Sequence, residues 1–170
     1  MRKIYVGFSK PINRIFPIYS WAIRALEGTR FSHVYVRHDT RYGIDIVYQA
    51  SGTQVNFESG ALFFKKAEAI REFEFEVTDE AFDRYMSFAL KNAGKPYGVL
   101  QVVGLALYSL LGLKKNPFPS GSANYVCSEL VAEILFELGR FKYDRELFDK
   151  LTPRDLFEFC KKYSLEEARQ

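Results

Sequence analysis

The chain has 170 residues, of which 48% are apolar and 26% charged, with a formal net charge of +3. That length and composition suit one globular domain over 1–170 with one sizeable core. Lys and Arg are interspersed with Asp and Glu, so no electrostatic footprint for nucleic acid exists, and the two cysteines, Cys127 and Cys160, are too few for a disulfide framework and fit a reducing compartment.

In chain order, "KIYVGF" reads as a short strand, and "INRIFPIYSWAIRALEG" as a helix kinked or split at Pro17 and ended by Gly28. Ser9, Lys10, Asn13 and Arg14 interrupt any signal-peptide core behind Arg2 and Lys3, which implies a cytoplasmic protein, with release by lysis or with a phage particle left open. "FSHVYV" and "IDIVYQAS" are β-branched and aromatic runs joined by "RHDTRYG", a hairpin; a turn centred near Arg41 sets His33 opposite Gln49. "TQVNFE" and "REFEFEV" supply two further strands, the second alternating Phe73, Phe75 and Val77 with Glu72, Glu74 and Glu76.

From Thr78 the period changes. Thr78 or Asp79 caps a helix running to about Asn92, with Phe82, Tyr85, Phe88 and Ala89 on one side, and "AGKPYG" breaks it. Val99 to Leu113 is apolar but too short to span a bilayer, so it is a buried helix, with membrane contact or an acyl-chain pocket as the alternative. A Pro, Gly and Ser loop precedes the amphipathic helix of "NYVCSELVAEIL", and Thr152 and Pro153 open a terminal helix. Strands first and helices after make the chain α+β, an antiparallel sheet or half-barrel packed on helices.

Cys127 shares a stripe with Leu130, Val131, Ile134, Leu135 and Leu138, which suits a small buried apolar residue. Its place in the first turn suits a nucleophile instead. Unpaired N–H groups and the helix dipole there stabilise a thiolate, lower its pKa, and can receive an oxyanion. Cys160, near the far end of its helix, lacks that help and reads as core. A thiol nucleophile needs a base, and the chain offers His33 and His38. His33 lies mid-strand on the Tyr35 face, where Gln49 can accept its Nδ1 proton and leave Nε2 toward the sulfur. His38, beside Asp39 in the turn, is expected to be solvent exposed. No Gly-x-Ser-x-Gly elbow, metal-ligand spacing or cofactor motif is present, so a serine hydrolase, a metal site and a cofactor are all disfavoured.

"FSHVYV", "VYQASGTQVNF", "GKPYG" and "YVCSELVAEIL", in that order, resemble the circularly permuted NlpC-type branch of the papain-like cysteine hydrolases, which includes the lecithin retinol acyltransferase group. There the histidine strand precedes the cysteine helix, as here. The resemblance covers roughly Phe31 to Phe159 and implies a Cys127, His33 and Gln49 triad, with Gln49 where Glu or His is common. It sets Tyr97 of "GKPYG" near the substrate, although a core tyrosine beside a turn is an equal reading. Tyr35 and Tyr125, flanking the same residues, are the other substrate-binding candidates. The implied activity is attack on an amide, ester or thioester carbonyl of a cell-wall peptide or acyl-bearing substrate, with lipid or peripheral membrane contact through residues 99–113. The alternative is a catalytically silent binding module of the same fold.

Overall fold

The computed structural model describes residues 1–12, 20, 23–25, 27–40, 42–102, 104, 124–141, 148 and 150–164. Strands β1 (Arg2–Pro11), β2 (His33–Asp39), β3 (Asp45–Ser51), β4 (Gln54–Ser59) and β5 (Ala67–Val77) form an antiparallel sheet in the order β4-β3-β2-β1-β5. Helices α1 (Asp79–Asn92), α2 (Cys127–Glu137) and α3 (Pro153–Tyr163) come after the strands, which makes the fold α+β. A helical turn at Gly60–Phe63, not expected from the sequence, joins β4 to β5.

Strand alternation gives the sheet its two sides. Ile4, Val6 and Phe8 of β1, Val34 and Val36 of β2, and Phe73, Phe75 and Val77 of β5 share the main core with Tyr85 of α1, Leu130 and Ile134 of α2, and Leu156 and Cys160 of α3. The reverse face holds a smaller cluster of Tyr35, Val47 and Phe63. Beside it Arg37 reaches Glu72 at 2.7 Å and Asp45 at 2.8 Å, and the Tyr35 hydroxyl donates to Glu72 at 2.9 Å. The helix caps follow the sequence reading. Thr78 accepts from the Ala81 N–H at 3.2 Å, and Thr152 forms a reciprocal capping box with Asp155 ahead of Pro153.

Four expectations change. The hairpin pairs Asp39 with Asp45 and Val36 with Tyr48, which centres the turn on Tyr42, one residue later than expected. Every β2 partner therefore moves by two residues, and Gln49 stays on the His33 face but lies diagonal to it. His38 is buried, not exposed, because β2 continues through it: it pairs with Ile4 and Ile46, and its Nδ1 lies 3.1 Å from the Tyr85 hydroxyl. The α2 helix begins at Cys127 itself, and Ser128, Glu129 and Ala132 are buried along with the expected stripe, so it is enclosed on most sides. Val99 and Leu100 are exposed while Gln101 is buried, so the apolar stretch opens with helical residues that are not all interior.

Helical backbone at residues 20, 23–25 and 27 ends at Gly28, whose φ of +63° suits a residue without a Cβ. The kink expected at Pro17, the Pro, Gly and Ser loop, and most of the stretch to Leu113 lie outside the described residues. Among the described residues, no helix is long and apolar enough to cross a membrane.

Candidate functional site

The β2–β3 ladder stops at Val36 and Tyr48, so at His33 and Gln49 the two strands no longer pair with each other, while β2 stays paired to β1 and β3 to β4. Side chains close that gap. His33 Nε2 lies 2.8 Å from Gln49 Oε1, and the Gln49 Nε2 amine donates to Glu58 at 3.3 Å. Glu58, on β4, is in turn paired with Lys66. The carboxylate can accept only, so it takes the amide's NH2 end and turns the oxygen toward His33. His33 must then donate from Nε2, which leaves Nδ1 as the basic nitrogen, the reverse of the tautomer expected from the sequence. Glu58 carries no signal in the sequence beyond its place in a strand, and it emerges from the β3–β4 register, where Val47 faces Glu58.

Cys127 is the first residue of α2, which packs on β2 and β3 and carries the thiol to the start of β2. The backbone N–H groups of Val34, Ser128 and Cys127 itself act on the sulfur. The "GKPYG" segment holds this helix start in place: Tyr125 N–H donates to the Pro96 carbonyl at 3.2 Å, and Gly98 N–H donates to the Tyr125 carbonyl at 2.9 Å. Tyr97 bridges to Tyr125 in parallel. Burial, then the charge of Cys127 and a hydrogen bond to it, raise the Tyr97 phenol well above its usual range, so Tyr97 stands at the sulfur. A Cβ at Gly98 would lie 2.8 Å from Gln101 Oε1 and 3.2 Å from Val126 Cγ1, so this segment packs closely on the residue before the helix.

The charge states follow from burial. Cys127 is only 5% exposed, and desolvation pushes its thiol up to about 11 against the pull of the three N–H groups. The thiolate expected from a first-turn position is therefore not the resting form: the dipole and N–H groups are outweighed by the loss of water. Burial also pushes His33 down to about 4, the Gln49 hydrogen bond opposing it, so both groups are neutral near pH 7. Glu27 adds a further effect. Its carboxylate raises Cys127, and burial pushes Glu27 itself up to about 7. The Glu27 Oε2 accepts from the Arg154 backbone N–H at 3.1 Å, which ties this corner to α3.

Tyr35 has no exposed surface and packs at 4.5 Å between ring centroids on Phe63, so it is a packing residue and not a substrate-facing one. Tyr125 is half-buried, with Lys95 Nζ 5.1 Å above its ring and Phe88 edge-on at 6.3 Å. Both cysteines are free, and Cys160 is core, its thiol raised by burial. Comparison with protein-family models and with curated proteins finds no match for the chain.

Proposed function

We propose that the chain is a cysteine-dependent hydrolase or acyltransferase of the permuted papain-like, NlpC-type class. Cys127 is the nucleophile, His33 Nδ1 the base, and Gln49 the residue that orients the imidazole. The observation that carries this reading is the 2.8 Å His33–Gln49 contact on a strand whose next residue, Val34, directs its N–H at the Cys127 sulfur.

Because thiol and imidazole are both neutral at rest, the proton moves as the bond forms. The Cys127 sulfur attacks an amide, ester or thioester carbonyl while its proton passes to His33 Nδ1. First-turn N–H groups of α2 take the developing oxyanion. The leaving group departs with the proton from His33, and the acyl group on sulfur passes to water or another acceptor. Gln49 carries no charge to stabilise the imidazolium, but Glu58 behind it supplies a carboxylate one hydrogen bond further away. Exposed Val99 and Leu100 favour an acyl-bearing or lipid substrate over a purely polar peptide.

The test is release of p-nitrophenol from short-chain p-nitrophenyl esters by the wild-type protein, Cys127→Ser and His33→Ala. A burst followed by slow turnover, lost in Cys127→Ser and slowed about 10²- to 10⁴-fold in His33→Ala, supports the dyad. Equal rates in all three proteins would refute it.

The buried, neutral thiol favours one other reading, a catalytically silent module of the same fold that presents its groove to a partner. That reading requires Cys127→Ala to retain full biological activity.

A further inference from the structure

From Arg84 to Ser128 the chain contains no Asp or Glu, and all 21 of its acidic residues lie before or after that stretch. Arg84, Lys91, Lys95, Lys114 and Lys115 fall within it, together with the apolar run from Val99 to Leu113. Elsewhere the two signs of charge are interspersed; here cations accompany apolar residues. That pairing suits a surface that meets anionic lipid, where carboxylates are repelled, lysines are attracted, and aliphatic side chains enter the headgroup boundary.

The fold gathers part of this stretch around Tyr125, two residues before Cys127. Phe88 of α1 meets the Tyr125 ring edge-on at 6.3 Å, and Lys95 Nζ lies 5.1 Å above the same ring. Lys91, exposed, shares a face of α1 with Phe88 three residues earlier. The Gly98 N–H donates to the Tyr125 carbonyl at 2.9 Å, and Val99 and Leu100 follow directly, 47% and 67% exposed. The contact with Tyr125 leaves the Lys95 ammonium charged, and a lysine stem can lie on apolar surface while its head reaches a phosphate. Glu129, the first acid after the stretch, is turned inward: it is 8% exposed and accepts from the Gln101 amide at 3.1 Å. No carboxylate of that segment therefore opposes the field of the two lysines at the surface.

We propose that this face docks on an anionic bilayer surface, with Val99 and Leu100 entering the headgroup boundary and Lys91 and Lys95 meeting the lipid charges. The contact is interfacial, since among the described residues no helix is long and apolar enough to cross a membrane. Tyr42 and Ile44 at the β2–β3 hairpin tip are also exposed, but they are flanked by Asp39 and Asp45, which an anionic surface repels. Docking through Tyr125 sets the Cys127 end of α2 toward the lipid. It needs no chemistry at Cys127 and stands whether or not the dyad is active.

The test is co-sedimentation of the full chain with vesicles of phosphatidylcholine alone and of phosphatidylcholine with about 30% phosphatidylserine. Expected is binding to the anionic vesicles, weak or none to the neutral ones, and a steep loss as salt rises from about 0.05 to 0.5 M. A lysine near an anionic surface changes partitioning about fivefold, so Lys91→Gln with Lys95→Gln should lower it at least about tenfold. Val99→Ser with Leu100→Ser should lower it by a similar factor, while Tyr42→Ser with Ile44→Ser should leave it unchanged, all three variants keeping the wild-type urea midpoint. Equal binding to both kinds of vesicle, no binding at millimolar lipid, or an equal loss in the Tyr42 and Ile44 variant would overturn the assignment. So would a wild-type dimer in the absence of lipid that the Val99 and Leu100 variant converts to monomer, since the face would then be covered by a second copy.

Discussion

Gln49 is the residue on which the state of His33 depends, because its amide is held by Glu58 on one side and accepts from Nε2 on the other. Gln49→Ala should therefore leave a half-buried imidazole N–H without its protein acceptor and free the ring to rotate. An unsatisfied buried donor is worth about 1–3 kcal/mol, so esterase activity should fall about 10- to 10²-fold, with KM little changed. Glu58→Gln leaves the amide free to flip and should lower activity by a smaller factor. Equal or higher activity in Gln49→Ala would show that His33 is positioned by something else. The placement of these residues was legible from the sequence: Cys127 at a helix start, His33 on a strand, and Gln49 on the next strand within reach of His33. The tautomer was not, because it is set by Glu58, whose approach depends on the β3–β4 register and has no local sequence mark.

At the scale of elements, Gly7 and Tyr35 are register partners in β1 and β2, and the ring of Tyr35 lies over the glycine. A Cβ at Gly7 would sit 2.1 Å from Tyr35 Cζ, in a buried strand where neither backbone can withdraw. Gly7→Ala should destabilise the protein by about 2 kcal/mol or more, read from urea unfolding, by overpacking. Adding Tyr35→Leu to Gly7→Ala should restore part of the loss, a coupling that a backbone effect of alanine alone would not produce. The hairpin and the caps at Thr78 and Thr152 were visible in the sequence because each rests on nearby residues. The placing of the turn on Tyr42, and with it the burial of His38, was not. A turn rich in Asp, Thr and Gly allows more than one centre, and the choice is made by packing of β2 against α1.

For the whole molecule, the desolvation of both histidines, His38 buried and His33 half-buried, sets a pH dependence. His33 and His38 are each pushed down to about 4 by burial, with the Arg2 charge adding to the shift at His38, while Glu27 is pushed up to about 7. Between about pH 6.5 and 4 the unfolded chain binds the two histidine protons and the folded one does not, so stability falls as pH falls. Glu27 works the other way between about pH 7 and 4.5, where the folded chain holds its proton more tightly. The net is about one proton, hence a loss near 1.4 kcal/mol per pH unit through the middle of that window. His38→Phe should flatten the slope in urea unfolding measured at pH 6.5, 5.5 and 4.5. An unchanged slope would mean that His38 protonates in the folded state as readily as in the unfolded one.

In the proposed mechanism Cys127 is the nucleophile and His33 its base. The most direct measurement is mass spectrometry of the protein quenched in acid within its first turnover of p-nitrophenyl hexanoate, for the wild type and His33→Ala. The expected result is one hexanoyl group, located on the peptide that contains Cys127, none on Cys160, and slower accumulation by about 10²-fold or more in His33→Ala. Equal accumulation in the two proteins, or no adduct on Cys127 in a folded wild type that releases p-nitrophenol, would contradict it.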